Sequence, residues 1–569
     1  MRRIHRYALL ALSAGLLAAC SKAPDTADTP LAFAPSDTPY AYANLEPTPT
    51  GLTEQWSKHM QEYMPELLGI YDHLLDEMSK DDKGGPESAR VIKVARVLLG
   101  ELKEHSNWDQ LRQIGLKPDA RVAFYGIGLV PVLRMELGDP AAFKAEIARI
   151  ESKLGDKLPV AKTGAQEYWQ LGNDKLACVV AIEGSHLVVT VLPPNAPDTL
   201  KQALLGLTRP AQNLAAAGTL QALAKQYNYS AYGEGFVDFV RLTERLTRAP
   251  EGTDADFAKA VGLPTPATPD AVCKSEFLEI AHKFPRLVAG AEELTAQRLK
   301  LSAELEIEPG LAQEIASAIG AAPGTGAASD GVIDVSIAMP LLRLKDFWIH
   351  QADKVAAKPF ACAELKDLNA SYASSRSKVD VTVPPPMSDL TGARFTLDKL
   401  DMANAAAGMP DVAGKLLLSS NNPVALVAMA QLAVPQLKDL KLAPDGKVVA
   451  LPANLVPSPG VPPLFVAMSD KAIAIGAGAG EDAALGAYLS AAPANEAVFL
   501  RMAFSGKLYA LIAQSAEKMK AMLPAEQQKQ WQQQKNLFAM YEKWLKRGEI
   551  TFVANKSGIA IRETIEQNP

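Results

Sequence analysis

Two short patterns in this sequence contain the side chains that acyl-transfer enzymes use. Ser515 and Lys518 fit the spacing SxxK, in which a lysine activates a serine nucleophile, and residues 162–164 spell KTG. In enzymes that use both patterns, the two segments flank one cleft and SxxK comes first in the chain. Here KTG comes first, and the sequence has no SDN segment. Patterns of four residues recur by chance in a chain of this length, so we expect no acyl transfer at these positions.

A glycine-rich segment at residues 476–480 (GAGAG) follows an apolar run and precedes a helical pattern. Backbone N–H groups at the start of a helix can hold a phosphate. The spacing is GxGxG instead of GxGxxG, and Glu481 and Asp482 at the helix start would repel a phosphate. We therefore interpret the segment as a flexible connection between a strand and a helix, without a nucleotide.

The histidines do not form a metal-binding or catalytic pattern. His59 and His73 share a predicted helix but are 14 residues apart, which is about 21 Å along a helix axis and too far for one metal ion. His105, His186, His282 and His350 are scattered through the chain. The sequence has no HExxH and no GxSxG motif. We therefore expect no metal, no cofactor and no enzymatic activity, although catalytic residues can also converge from distant loops.

The amino terminus has the three parts of a secretory signal: arginines, an apolar stretch at residues 8–17, and small residues. Residues 17–20 (LAAC) resemble the lipobox of bacterial lipoproteins, with Cys20 at the position of the lipid-modified cysteine. The resemblance covers only the signal. It implies that Cys20 is acylated and becomes the first residue after cleavage. Ser21 stands where the family's inner-membrane retention signal usually has Asp, which implies the periplasmic face of the outer membrane.

The composition indicates a water-soluble body behind this signal. The chain has 569 residues, of which 48% are hydrophobic and 21% charged, with a formal net charge of −6. The basic residues form no long runs, so we expect no nucleic-acid partner. Residues 21–39 are rich in Pro, Asp and Thr, which predicts a flexible tether. We expect the membrane to be contacted through the acyl chains on Cys20.

The resemblance to lipoproteins places the other cysteines in an oxidising compartment, where three cysteines permit one disulfide bond. Cys178 lies within an apolar strand pattern, which predicts an inert buried thiol. Cys273 and Cys362 each begin a helical pattern. We therefore predict a disulfide bond between Cys273 and Cys362, which would link two parts of the chain.

Five segments recur in the same order in both halves of the chain, which predicts an internal duplication. The clearest pair is residues 133–140 and residues 416–423, where a strand meets an Asp or Asn helix cap followed by Pro. Each half would be an α+β unit with a mostly antiparallel sheet and helices packed on it. The predicted divisions are a signal peptide (1–19), a lipidated terminus and tether (20–39), a first unit (40–320), a linker (321–331) and a second unit (332–569).

A helix over residues 52–78 carries apolar residues at alternating spacings of four and three, which indicates a narrow apolar seam. A second such stripe includes Trp531, Phe538 and Tyr541 near the carboxyl end. Both seams are typical of packing within the chain, and the first is also compatible with a partner or a dimer.

Two hypotheses of different classes follow for the function. The first is a non-enzymatic periplasmic lipoprotein that binds or scaffolds a protein or another envelope component. The second is a carrier or chaperone for lipid or outer-membrane protein cargo, since Ala-rich helices and 15 Met can line an adaptable cavity. An envelope hydrolase is a third alternative. A groove between the two units would be the expected place for a ligand.

Overall fold

The computed structural model describes residues 28–80, 85–173, 175–262, 270–326, 330–401, 411–455, 462–520 and 524–568. The predicted fold class is confirmed, because helices pack on a large antiparallel sheet. The sheet contains 19 strands, and the strands that pair run antiparallel. Such a sheet can keep one face packed and leave the other uncovered.

The strands follow the alternating patterns of the sequence closely. They are β1 (Tyr40–Ala43), β2 (Val122–Ile127), β3 (Val130–Glu136), β4 (Val160–Thr163), β5 (Gln166–Gly172), β6 (Ala177–Glu183), β7 (His186–Leu192), β8 (Glu234–Asp238), β9 (Arg286–Leu294), β10 (Arg298–Glu306), β11 (Ile333–Ala338), β12 (Leu390–Asp401), β13 (Asp411–Ser420), β14 (Val449–Ala450), β15 (Leu464–Met468), β16 (Ala472–Ala477), β17 (Ala497–Ser505), β18 (Leu545–Ala554) and β19 (Gly558–Gln567). Tight turns join β6 to β7 and β15 to β16, as predicted.

The α-helices of the described residues lie between these strands. They are α1 (Thr50–Lys80), α2 (Gly85–Glu104), α3 (Trp108–Gln113), α4 (Pro140–Leu154), α5 (Asp198–Leu205), α6 (Leu214–Ala217), α7 (Thr219–Tyr227), α8 (Phe239–Leu246), α9 (Gly252–Val261), α10 (Ala271–Lys283), α11 (Pro309–Ile319), α12 (Leu341–Ala357), α13 (Lys366–Val379), α14 (Pro423–Ala433), α15 (Glu481–Leu489), α16 (Lys507–Lys520) and α17 (Ala525–Trp544). None of these helices is long and apolar enough to cross a membrane.

The order of strands across the sheet follows from the pairings. It reads β4-β5-β6-β7-β3-β2-β1-β8-β9-β10-β19-β18-β17-β11-β12-β13-β16-β15-β14. From the outside of the sheet towards its centre, the first half reads β5-β6-β7-β3-β2-β1-β8-β9-β10. The second half, read in the same direction, is β14-β15-β16-β13-β12-β11-β17-β18-β19. Corresponding strands therefore follow one another along the chain in the same way. This shared order supports the internal duplication, which we keep as a proposal.

The two helices that follow β3 and β13 begin in similar ways. The side chain of Asp139 accepts hydrogen bonds from two N–H groups of the first turn of α4, and Pro140 is the first helical residue. Asn422 caps α14 likewise, with Pro423 next. A capping side chain satisfies an N–H group that has no partner within the helix, and proline fits the first position because it lacks this group.

One face of the sheet, which we call the packed face, is covered by α5 in the first half and by α15 in the second. Leu200 and Leu204 of α5 belong to a cluster of buried side chains with Val179 and Val188 of the sheet. Leu485 and Leu489 of α15 pack in the same way against Leu417, Ala467 and Ala474. The opposite face is called the open face below.

The segment after residue 28 belongs to the packed core. Leu31 and Phe33 lie in a 3₁₀ turn and are buried together with the residues around them. The sequence analysis placed residues 20–39 in the tether because of their Pro, Asp and Thr content. For residues 30–34 this expectation is wrong, because two large apolar side chains among the small ones bury enough surface to hold the turn.

The first and second halves also contact each other outside the sheet. Ile315 and Ile319 of α11 pack against Ala338 and Ala554 of the second half. Tyr63 of α1 packs against Tyr541 and Trp544 of α17. Tyr63 of the apolar seam of α1 is therefore used for packing within the chain, while Leu74 of the same seam is exposed.

Candidate functional site

The open face carries a continuous lateral row of apolar residues, which includes one glycine. Each residue of the row is paired directly with the next one on the neighbouring strand. Directly paired residues project to the same face of an antiparallel sheet. From β4 to β15 it consists of Val160, Trp169, Val180, Val189, Leu133, Phe124, Tyr42, Gly235, Ala289, Ala303, Ile561, Phe552, Leu500, Ile337, Ala393, Leu418, Ile473 and Met468. With about 4.8 Å between neighbouring strands, the row follows the sheet for roughly 80 Å.

The middle of the open face is accessible. The side chains of Phe124, Ile561 and Phe395 are 41%, 42% and 46% exposed. Between Phe124 on β2 and the strand β9 lies an apolar depression of about 340 Å³. It is lined by Tyr40, Ala41, Tyr42, Phe124, Gly235, Phe236, Val237, Leu287 and Ala289. An apolar group that covers these side chains would remove apolar surface from water, which is favourable.

Two tyrosines supply the side-chain hydroxyl groups of this depression. The ring of Tyr40 stacks on Phe124 at 5.7 Å, and its hydroxyl donates a hydrogen bond to the carbonyl oxygen of Leu129 at 3.1 Å. Burial, together with the negative charge of Asp254, raises the pKa of Tyr40 to about 12. Burial also raises the pKa of Tyr42. Both hydroxyls are therefore neutral at physiological pH, and the depression carries no charge of its own.

The packed face shows the opposite chemistry, because many of its buried strand residues are polar. They include Arg134, Thr190, Glu234, Ser302, Glu304, Asp334, Ser336, Arg394, Thr396, Lys415, Ser419 and Arg501. In an antiparallel sheet with one solvated face, apolar residues usually lie in the core and polar residues face water. In the middle of this sheet, apolar residues of the open face are exposed, while several polar residues of the packed face are buried. Other polar residues of the packed face, among them Lys300 and Arg562, are partly exposed and line an open pocket of about 380 Å³.

Several charges of the packed face in the second half are paired with opposite charges. Arg394 donates hydrogen bonds of 3.0 and 2.7 Å to the two carboxylate oxygens of Asp334. Burial disfavours the charge of Arg394, but the hydrogen bonds to Asp334 outweigh this effect and raise the pKa of Arg394. Lys415 lies between Asp398 at 2.6 Å and Glu481 at 2.8 Å. Buried charges that are paired in this way are stabilised by their own partners and need no ligand.

In the first half, Arg134 has a similar role. It donates to Glu183 at 2.8 Å and to the carbonyl oxygen of Leu205 at 2.7 Å, and its guanidinium group lies 3.5 Å from the ring centre of Phe33. His186 is adjacent, and burial, followed by the positive charge of Arg134, lowers its pKa. We interpret His186 as a neutral core residue.

A buried ionic cluster joins α2 to α4. The ligand atoms of Glu101, His105 and Glu146 lie within 4.8 Å of one another, which is close enough for one metal ion. However, Arg149 donates to Glu146 at 3.0 Å and to Glu101, and it lies 3.2 Å from the His105 ring nitrogens. The ammonium group of Lys153 is 2.8 Å from Glu101. Since these cations compensate the carboxylates, the cluster holds two helices together without a metal ion.

This grouping was not expected, because His105 is one of several histidines that are scattered through the sequence. Glu101 and His105 are four residues apart and therefore share one face of α2. That spacing was the available signal, but the partner on α4 could be found only from the structure.

Helix α4 lies on the open face at the end of the sheet that contains β4 and leaves a large cavity beneath it. The cavity has a volume of about 810 Å³. Ile147 of α4 and the strand residues Val160, Trp169 and Ile182 form its apolar lining. Because Val160 and Trp169 also belong to the row, the cavity is continuous with the open face.

The corresponding place beneath α14 is filled. Leu426 of α14 contacts a buried cluster that contains Val466, Met468 and Ile473 of the sheet. Further side chains from the segment after α14 complete this cluster, namely Leu440, Leu442, Val449 and Leu451. Among the described residues, the space beneath α14 is therefore occupied where the space beneath α4 is open.

The cysteines of the described residues occupy different environments. The sulfur atoms of Cys273 and Cys362 are 2.13 Å apart and form the disulfide bond that the sequence predicts. Both residues are buried beside Leu365. Cys178 is free and exposed, so the expectation of a buried thiol is wrong. It lies on β6 opposite Val191 and alternates onto the open face, which the apolar sequence around it did not reveal. Cys20 lies outside the described residues.

The remaining chemical patterns of the sequence form no site among the described side chains. Residues 162–164 lie in and after the edge strand β4, while the side chains of Ser515 and Lys518 are outside the described set. In the glycine-rich segment, a side chain on Gly478 would collide with Ala413, because its Cβ would be 2.7 Å from the Ala413 Cβ. Close packing against β13 therefore explains this glycine.

No family model matches the chain, and no curated protein or solved structure matches it either. The argument for function therefore depends on the geometry of this chain. Its most unusual feature is the accessible apolar face that lies opposite a packed face rich in charge.

Proposed function

We propose that this protein is a lipid-anchored, non-enzymatic envelope protein that carries a ligand with a hydrocarbon chain on the open face of its sheet. The observation that supports this function is the apolar row, which continues through strands where the opposite face is polar. A solvated face would normally have the reverse pattern. Of the two hypotheses from the sequence, the carrier is therefore favoured over the scaffold.

The chemistry of the open face favours hydrocarbon over an extended peptide. The backbone N–H and C=O groups of the inner strands pair with neighbouring strands, so an added peptide strand would find partners only at the edges β4 and β14. The side-chain hydroxyls of the depression come from Tyr40 and Tyr42, and Tyr40 already donates to a carbonyl group. A hydrocarbon chain needs no hydrogen bonds and loses none by binding here.

The proposed location agrees with such a ligand. Acyl chains on Cys20, which the lipobox resemblance implies, would hold the protein at the periplasmic face of the outer membrane. A carrier in that place would have lipid within reach. Metabolic labelling with palmitate tests the anchor: we expect the chain to be labelled and the variant Cys20→Ser to be unlabelled. An unlabelled native chain would remove the anchor from the proposal.

Ligand binding is best tested on the full chain with Cys20→Ser, which can be purified without detergent. We expect it to bind a fluorescent palmitate analogue in solution. The variants Phe124→Asp and Ile561→Asp place a charge in the accessible middle of the open face, so they should weaken binding about tenfold or more. Because both side chains are substantially exposed, the fold should persist, and circular dichroism checks this.

The matched control is Leu432→Asp. Leu432 is an apolar residue of α14 that is 88% exposed and lies outside the row. It should leave binding unchanged. Equal binding by the two face variants and the control, or no binding by any of these chains, would contradict the proposed carrier function.

A further inference from the structure

The cavity beneath α4 differs from the rest of the open face because charged side chains surround its apolar lining. Lys144 and Glu151 extend from α4, Lys157 follows that helix, and Glu167 belongs to β5. The volume of about 810 Å³ lies within the range of small-molecule sites. Apolar walls with a few charged groups at the entrance are suited to an amphiphile.

The charges at this cavity leave one cation available. Lys157 pairs with the buried Glu151 at 2.7 Å, and Glu151 also accepts a hydrogen bond from the N–H group of Leu158. Glu167 pairs with Lys162 at 2.7 Å. Among the described residues, no carboxylate lies within ion-pair distance of Lys144. The hydrogen bond to Lys162 lowers the pKa of Glu167, and the positive charge of Lys144 lowers it as well. Lys144 is therefore close enough to Glu167 to interact with it electrostatically.

From this arrangement we infer that the cavity beneath α4 binds the head of an amphiphile with one hydrocarbon chain and an anionic carboxylate or phosphate group. The head contacts Lys144 at the entrance. The chain lies against Ile147, Trp169 and Ile182 and continues along the row towards Val180. This inference rests on the proposed carrier function and adds the charge of the ligand to it.

The filled site beneath α14 supports the assignment. An equivalent helix on the same face can be packed without a cavity, as Leu426, Leu440 and Leu442 show. Helix α14 also presents no charged residue, since its sequence is PVALVAMAQLA. The cavity and the lysine therefore occur together in one half and are both absent from the other.

The test compares ligands that share a dodecyl chain and differ in the head group. Dodecanoate and dodecyl phosphate are the anionic probes, dodecyl maltoside is neutral and dodecyltrimethylammonium is cationic. Each is titrated, below its micelle concentration, into the full chain with Cys20→Ser, with the fluorescent palmitate analogue as competitor. The fluorescence of Trp169 reports occupation of the cavity, and it is obtained by subtracting the emission of the variant Trp169→Phe from the emission of the native sequence. We expect both anionic probes to bind best and to change this emission.

The variant Lys144→Glu should weaken binding of the anionic probes about fivefold and leave dodecyl maltoside unchanged. Its control is Lys225→Glu, which makes the same charge change at an exposed position of α7. Added salt should reduce the preference for anionic probes in the native sequence but not in Lys144→Glu, since exposed charges are screened by salt.

The inference and the proposed function can fail separately. If Phe124→Asp and Ile561→Asp abolish binding while Lys144→Glu behaves like Lys225→Glu, the carrier function holds and the anionic site is wrong. If the anionic probes bind without any change in Trp169 emission, the site is also wrong. If none of the dodecyl probes and no palmitate analogue binds, both proposals fail.

Discussion

Helices α4 and α14 follow corresponding strands and begin with similar caps, yet they pack on the sheet in different ways. Beneath α14 the space is closed by apolar side chains, several of which come from the segment after the helix. Beneath α4 a cavity of about 810 Å³ remains, and the helix is attached to α2 by charged groups. The difference shows that the cavity is not imposed by the fold. It arises where the short connection from α4 to β4, residues 155–159, contributes fewer apolar side chains than the segment after α14.

The contrast between the filled and the open site gives a first prediction for stability. Met468 is buried in the cluster beneath α14, so Met468→Ala should lower the free energy of unfolding by about 2–5 kcal/mol. Ile182 lines the cavity and is only partly buried, so Ile182→Ala should cost about 1 kcal/mol or less. Urea denaturation of the two variants measures both effects. Equal losses would show that the cavity is closed in solution.

The attachment of α4 to α2 gives a second prediction. Arg149→Met removes the cation between Glu101 and Glu146, which are both buried, and should cost about 1–3 kcal/mol in stability. The companion variant combines Arg149→Met with Glu101→Gln and should recover part of this loss, because fewer buried charges then lack a partner. Urea denaturation at neutral pH compares the two. If both variants retain native stability, the cluster does not hold α4 in place.

A third pair of variants introduces a phenylalanine beneath α14 and beneath α4. Val427 packs against the filled cluster, so Val427→Phe should overpack it and cost about 1–3 kcal/mol. Ala148 lines the cavity, and Ala148→Phe should be accommodated within about 0.5 kcal/mol. Thermal unfolding distinguishes the two variants. A large loss with Ala148→Phe would indicate that no space exists beneath α4.

Much of this architecture could be predicted from the sequence because it depends on local patterns. The strands β7 and β15 and the helix α15 follow alternation, tight turns and helix starts, which are encoded within a few residues. The caps Asp139 and Asn422 were likewise evident from their Pro neighbours. The disulfide bond between Cys273 and Cys362 was predicted from compartment and position.

The candidate site could not be predicted in the same way. Which face of a strand is covered depends on distant helices, so the alternation of β10 or β19 did not reveal that its apolar side is the accessible one. The filling beneath α14 involves Leu440 and Leu442, whose segment has no regular pattern. Cys178 was misplaced for the same reason, because an apolar neighbourhood in the sequence does not identify the face.

The last prediction concerns titration, which also differs between the halves. Glu234 of β8 is buried on the packed face, and its Oε1 has no hydrogen-bond partner among the described residues. Near the start of β17 in the second half, the buried residue is Val498, which cannot titrate. Burial raises the pKa of Glu234 from about 4.5 to about 7, although the N–H group of Gly233 lowers it slightly, and Glu46 adds a further increase.

The sign of the pH dependence follows from this shift. The folded protein holds a proton on Glu234 up to about pH 7, whereas the unfolded chain releases it near pH 4.5, so stability falls as the pH rises between these values. We expect the native chain to lose roughly 2–3 kcal/mol between pH 5 and pH 8 relative to Glu234→Gln, which stays neutral throughout, because one pKa unit corresponds to about 1.4 kcal/mol. Urea denaturation at pH 5 and pH 8 measures the difference. Parallel pH profiles for the native chain and Glu234→Gln would show that the carboxyl group is solvated, and that the two halves do not differ in this respect.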